Sequence, residues 1–173
     1  SNVITLQRAN DEQIPVRYVG PDTGVMALAD QYQISQVFVN IMSNAIKYTP
    51  DGEKISLSIS ENPTNIQGFG YYQFTFEDNG YGMTEDFQKH RFEPFTRATD
   101  SQTAGIQGTG LGMAITRNIV NMMGGEITVD SVYGEGSKFT VTMYLKLQTE
   151  EEINYDNFVD LRVLVADDDP VCC

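Results

Sequence analysis

Asn40 and Asn44 stand four residues apart, with Lys47 and Tyr48 following within one further turn. On a helix this spacing puts both carboxamides on one face. Asparagine is a poor helix former, so two on one face do not help the helix unless their amides have a task. Their oxygens suit a hard cation such as Mg²⁺, and their nitrogens can donate to phosphate. Lys47 adds a cation and Tyr48 a phenol near the same spot. A second group, Asp78-Asn79-Gly80-Tyr81-Gly82, follows an alternating stretch. Glycines there let the backbone pass close to a flat ligand, and the carboxylate can accept a hydrogen bond from an exocyclic amine. A third, Gly108-Thr109-Gly110-Leu111-Gly112, leads into a helical pattern, where backbone amides and the helix dipole can hold phosphate. Each group also has an ordinary structural reading: polar residues on a solvent face, an Asp-Asn-Gly turn, glycines opening a helix.

The elements that must position these residues follow from hydrophobic period. From Gln33, the residues Ile34, Val37, Ile41, Ala45 and Tyr48 recur at three- and four-residue intervals, which predicts an amphipathic helix ended by Thr49-Pro50-Asp51-Gly52. Ile14 to Val19 and Val25 to Ala29 flank Gly20-Pro21-Asp22-Thr23-Gly24 and read as strand, turn, strand. Residues 55–60 and 71–77 alternate as half-buried strands, with 63–70 as a hairpin loop. Thr84 to Lys89 suggests a short helix, and 96–107 is polar, small and aperiodic, hence a mobile loop. Leu111 to Met123 is helical and stopped by Gly124-Gly125. Glu126 to Asp130 and Lys138 to Leu145 form a last alternating pair around Tyr133 to Gly136. This order indicates an α+β protein, a two-layer α/β sandwich with helices on one face of a mixed sheet.

The chain has 173 residues, enough for one well-buried domain and a short appendage. Its net charge of −13 argues against nucleic acid as a partner and is otherwise that of a soluble acidic surface. Any polyphosphate ligand must then be held by metal, backbone amides and a few local cations. No apolar run approaches the roughly 20 residues of a membrane span, and no direct membrane contact is expected. Cys172 and Cys173 are adjacent, which suits neither a disulfide scaffold nor a zinc site and fits a reducing, cytoplasmic setting. No Gly-x4-Gly-Lys-Ser/Thr occurs, and the third glycine group lacks the preceding strand and following acid of a dinucleotide-binding turn.

Taken together and in order, Asn40 to Thr49, Asp78 to Met83, Phe92-Glu93-Pro94-Phe95, Gly108 to Met113 and Gly134 to Phe139 resemble sensor histidine kinases. The resemblance covers 14–147 and implies the Bergerat (GHKL ATPase) version of the sandwich, with ATP and Mg²⁺ as cofactors. It implies that Asn40 and Asn44 hold Mg²⁺ and the phosphates, with Lys47 beside them and Tyr48 and Met83 lining the nucleotide site. Asp78 would accept from the adenine amino group, and Gly80 and Gly82 would allow close approach to the base. Residues 96–107 would be the lid over ATP, hinged by Phe92 and Phe95. Gly108, Gly110 and Gly112, with Thr109 and Leu111 in the same turn, would contact phosphate, and Arg97 would neutralise the γ-phosphate.

Related hydrolases of the superfamily carry a glutamate where this chain has Asn40. An amide cannot take a proton from water, so transfer to a protein nucleophile, which the resemblance implies is a histidine, is favoured and slow hydrolysis expected. His90 does not stand in the family's phosphoacceptor pattern and reads as a structural or surface residue. The implied partners are the protein's own upstream dimerisation and phosphoacceptor domain, in a homodimeric parent open to membrane anchoring, and a receiver domain or response regulator. Ser1-Asn2 resembles a cloning remnant, so 1–13 reads as a connector from that upstream part. Residues 148–160 read as an acidic linker. Residues 161–173, with Asp167 and Asp168, resemble the start of a receiver domain and would make the parent a hybrid kinase. The alternative is a nucleotide-binding module of a degenerate kinase, without catalytic output.

Overall fold

The structure, a computed structural model, describes residues 16–19, 27–28, 30–98, 106 and 108–147. Along them run β1 (Val16–Val19), β2 (Ala27–Leu28), α1 (Gln31–Tyr48), β3 (Ile55–Asn62), β4 (Phe69–Asp78), α2 (Glu85–His90), α3 (Gly112–Met122), β5 (Glu126–Val132) and β6 (Gly136–Leu147). The readings of 1–13, 148–160 and 161–173, including Asp167 and Asp168, lie outside the described residues.

Alternation builds the sheet. In β6, Phe139, Val141, Met143 and Leu145 are buried, while Lys138, Tyr144 and Lys146 between and beyond them are exposed. β4 sends Tyr72, Phe74 and Phe76 to the same side, in register with Met143, Val141 and Phe139. The hydrogen-bonded order is β1-β3-β4-β6-β2, and β5 also pairs with β6. β5 takes residues 136–142 of that strand's outer edge and β2 takes 146–147. Only β1 with β3 is parallel, so the sheet is mixed, as expected.

Two expectations need correction. Of the segments read as strand, turn, strand, the described parts are β1 and β2, and these do not pair with each other: β1 lies against β3 at one edge and β2 against β6 at the other. Strands this short carry little register information of their own, so the long alternating strands supply their partners. The strand expected at 71–77 also runs further, from 69 to 78, because every one of its residues has a partner on β6.

The helices cover one face. α1 contributes Val37, Ile41, Ala45 and Ile46 to the core and α3 contributes Ile119 and Val120. Phe38 sets its ring edge-on to Phe74 and Phe76, with centroids 4.9 and 5.3 Å away. Burying one such side chain stabilises the fold by about 1.5–3 kcal/mol. On the opposite face Tyr71 stacks on Tyr144 among polar neighbours, 4.6 Å between centroids. Among the described residues no helix is long and apolar enough to cross a membrane.

α1 begins where Asp30 Oδ1 accepts from the Gln33 amide at 3.1 Å. It ends at Thr49, whose extended backbone is what a residue before proline prefers. Replacing Asp30 with Ala leaves that amide without its cap and should cost about 1 kcal/mol in urea unfolding. No loss of stability would show the cap to be idle.

Candidate functional site

A cleft opens between the second half of α1, the end of β4 and the start of α3. Its walls include Asn40, Asn44, Lys47 and Tyr48 from α1, and Asp78, Gly82 and Met83 from the end of β4 and the turn after it. Arg97, Gly108, Thr109, Gly110 and Gly112 complete the expected set found there. Gly80, Phe95 and Leu111 are not among the lining residues.

Asp78 sits at the bottom because it continues the inward row Tyr72, Phe74, Phe76 by one more strand repeat. A carboxylate thus occupies a core-facing position, opposite Ser137 on β6 and Ile55 on β3, and is only 6% exposed. Burial pushes its carboxyl up to about 6 from 3.8. The backbone amides of Gly80 and Ser137 pull it partly back, and the charge of Glu77 adds to the rise. The Gly80 amide donates to Oδ1 at 2.9 Å. A buried acid backed by amides and open on its remaining side is suited to accept a hydrogen bond from a neutral amine donor.

The glycines after it are also required by the fold itself. A Cβ on Gly80 would meet the Tyr48 carbonyl oxygen at 2.2 Å, and one on Gly82, whose φ is +65°, would meet the Val132 carbonyl oxygen at 2.0 Å. Their small size therefore serves the closure of this turn against α1 and β5, where Tyr81 N–H donates to Tyr48 O at 2.9 Å and Gly134 N–H to Tyr81 O at 2.8 Å. In the third glycine group only Gly110 is forced, by a φ of +71° and the Phe95–Thr96 backbone lying within 3 Å of a Cβ. Gly108 faces open space.

Asn40 and Asn44 do share the cleft side of α1, but their amides are engaged differently. Asn40 Nδ2 donates to Gly112 O and to Thr116 Oγ1, both at 3.2 Å. Its nitrogen is therefore taken by α3, and its oxygen is the atom left for a ligand. No protein hydrogen bond to the Asn44 carboxamide is found among the described residues, which leaves both its ends for a ligand. Among the described residues no cluster of three His, Cys, Asp or Glu could hold a metal. Two amide oxygens fit a hard cation that takes its other ligands from phosphate and water.

At the lid end the two phenylalanines part company. Phe92 packs against the core, with the guanidinium groups of Arg91 and Arg117 over its ring at 4.9 and 5.6 Å. Phe95, expected at the lid hinge and among the nucleotide-site residues, keeps its ring off the cleft lining: its side chain is 75% exposed, its φ is +65°, and its backbone N–H donates to Gly110 O at 2.9 Å. Leu111 is likewise spent on preceding α3 rather than on the cleft. Arg97 lines the cleft and donates from Nη2 to Ile106 O at 2.7 Å, joining the two described ends of the expected lid. Residues 99–105 and 107 lie outside the described residues. His90 is exposed, its Nδ1 3.0 Å from Glu93 Oε1, and lies off the cleft lining, as a surface residue should.

Sequence reasoning missed Ser137, Met113, Phe87 and Arg91, all of which line the cleft. Ser137 was findable, because two residues before Phe139 it must point inward. Arg91 carried no periodic signal.

Residues 29–148 match the family described as histidine kinase-, DNA gyrase B- and HSP90-like ATPases. The chain belongs to that family. More narrowly, it is an ATP-binding catalytic domain of the sensor histidine kinase type, which confirms the resemblance read from the ordered glycine and asparagine groups. The ATPase domain is 38% identical over 136 residues to hybrid signal transduction histidine kinase A of Dictyostelium discoideum, covering 76% of this chain and 6% of that one. With sensor histidine kinase WalK of Bacillus subtilis it shares 34% over 132 residues, 76% of this chain and 21% of the relative. It thus spans a small part of the curated relatives it matches. Among solved structures, the catalytic domain of histidine kinase ThkA superposes with TM-score 0.66 at 25% identity, covering 83% of this chain and 86% of that one. Full-length ShkA in complex with AMPPNP also gives 0.66, at 26% identity over 84% of this chain and 28% of its own.

Proposed function

We propose that the domain binds Mg-ATP in this cleft and passes the γ-phosphate to a histidine on a separate phosphoacceptor domain of a longer, two-component kinase. The observation that carries the reading is the buried Asp78 carboxylate at the floor of a cleft whose mouth is lined by Asn44, Lys47, Arg97 and the glycine turn before α3. Asp78 accepts from the adenine amino group. Asn44 and the oxygen of Asn40 face the cation, which when bound neutralises phosphate charge, and Lys47 and Arg97 supply the positive charge that a net −13 chain otherwise lacks. The first amides of α3 point toward the phosphates, where the helix dipole favours negative charge. Asn40 offers no carboxylate to activate water, and its nitrogen is already bonded to α3. This favours a protein nucleophile over hydrolysis.

The match to a hybrid histidine kinase supports extending the reading to a parent in which 161–173 begin a receiver domain, with the homodimeric phosphoacceptor part upstream. That parent works in the cytoplasm. The test is to supply a separate dimerisation and phosphoacceptor fragment with γ-labelled ATP. Label should appear on the fragment's histidine in an acid-labile, base-stable form and depend on Asn44. Tight ATP binding with no label on histidine would sink the kinase reading in favour of a module without catalytic output.

A further inference from the structure

Thr116 is fully buried in α3 and is not among the residues lining the cleft, yet it bonds to one of the cleft's amides. Its hydroxyl has one proton, and the 2.8 Å contact to Gly112 O, a carbonyl one turn back in the same helix, takes it. Thr116 Oγ1 therefore shows only lone pairs to its other neighbour. Gly112 O, a carbonyl, can only accept. Asn40 lies 3.2 Å from both atoms. Two acceptors side by side require the two-hydrogen end of the carboxamide, so the amide's NH₂ must turn to α3 and its oxygen away from it. The reverse orientation would lose two hydrogen bonds and oppose three oxygens.

We propose that Thr116 is a positioning residue for the divalent cation, acting from α3 to hold the Asn40 carboxamide with its oxygen toward the nucleotide. The inference rests on the Mg-ATP reading above. It makes the asparagine at position 40 a bridge between the phosphate-binding start of α3 and the cation side of α1. Removal of the hydroxyl leaves Gly112 O as a single anchor, about which the amide plane is free to swing.

The experiment is a Mg²⁺ titration of ATP binding to the whole chain by calorimetry, in wild type, Thr116→Val and Thr116→Ser, with ATP binding in EDTA as the second readout. In Thr116→Val the Mg²⁺ concentration giving half the maximal gain in ATP affinity should rise about fivefold, the equivalent of one neutral hydrogen bond. ATP binding in EDTA should stay at its wild-type value, and Thr116→Ser should restore the wild-type Mg²⁺ response. Valine is isosteric with threonine; should that variant fail to fold, Thr116→Cys makes the same comparison with a weaker acceptor for the Asn40 amide. A wild-type Mg²⁺ response in folded Thr116→Val, or an equal loss with and without Mg²⁺, overturns the positioning role. Wild-type ATP binding that ignores Mg²⁺ overturns the reading beneath it, and tight Mg-dependent binding in the wild type keeps the two failures apart.

Discussion

Replacing Asp78 with Asn should remove adenine-nucleotide binding and, at the same time, make the nucleotide-free domain more stable at pH 7. Both effects come from one buried carboxylate. The Gly80 amide, 2.9 Å from Oδ1, needs an acceptor, so an asparagine there must turn its oxygen to Gly80. Its NH₂ then faces the cleft, where the adenine amino group also brings a donor. Losing a charged acceptor and opposing two donors should weaken ATP and ADP binding by at least about a hundredfold. Stability moves the other way. The folded-state carboxyl is raised from 3.8 to about 6, mainly by burial, so the folded domain holds a proton that the unfolded chain has released. Between those values the folded state binds more protons than the unfolded one, and stability falls as pH rises through the window, with the full cost present above it. The neutral asparagine escapes this cost, for a gain of about 1–3 kcal/mol at pH 7 and little at pH 4. Urea unfolding at the two pH values, with calorimetric ATP titrations, checks both halves. A variant that binds ATP normally would discredit the adenine role, and an unchanged slope of stability with pH would discredit the buried charge. By the same sign, wild-type affinity for ATP should decline as pH drops below about 6, where Asp78 gains its proton.

The second large effect separates glycines that the fold needs from glycines that a ligand needs. Gly82→Ala should cost about 3 kcal/mol or more, since it adds a left-handed backbone penalty to a Cβ placed 2.0 Å from the Val132 carbonyl. Relief requires the turn to separate from β5, which would carry Met83 and the mouth of the cleft with it. Gly108→Ala meets nothing within 4 Å and has no positive φ. Its stability should stay within the range of a neutral surface change, about 0.5 kcal/mol. ATP affinity should nonetheless drop in Gly108→Ala, because the proposed Mg-ATP binding brings phosphate close to that backbone. Thermal melts of the two variants with and without Mg-ATP decide the matter. Equal melting temperatures in the absence of nucleotide would end the distinction.

Much of the scaffold was legible because it is written in neighbouring residues. The alternation of β3, β5 and β6 and the three- and four-residue recurrence in α1 and α3 appear in the structure within a few residues of their expected ends. The partners of β1 and β2 were not legible, since a few apolar residues say nothing about which strand they join. At the site, the residue types pointed to Asn44, Lys47 and Asp78, and the structure brings all three to one cleft. That the Phe95 ring lies outside was not legible, since it depends on the positive φ and the backbone bond to Gly110.

By itself, then, the sequence determined the family, the two-layer architecture and many of the groups that line the cleft. Those follow from the order of short local patterns, each complete within about ten residues. Only the tertiary structure decided what each atom does. It showed that Gly80 and Gly82 are small for the sake of Tyr48 and Val132, and that Asp78 is buried deeply enough to resist ionisation. It also showed that Asn40 spends its nitrogen on residues 72 and 76 positions away. The physical reason is that period and propensity act between neighbours along the chain. Clash, desolvation and hydrogen-bond direction act between neighbours in space.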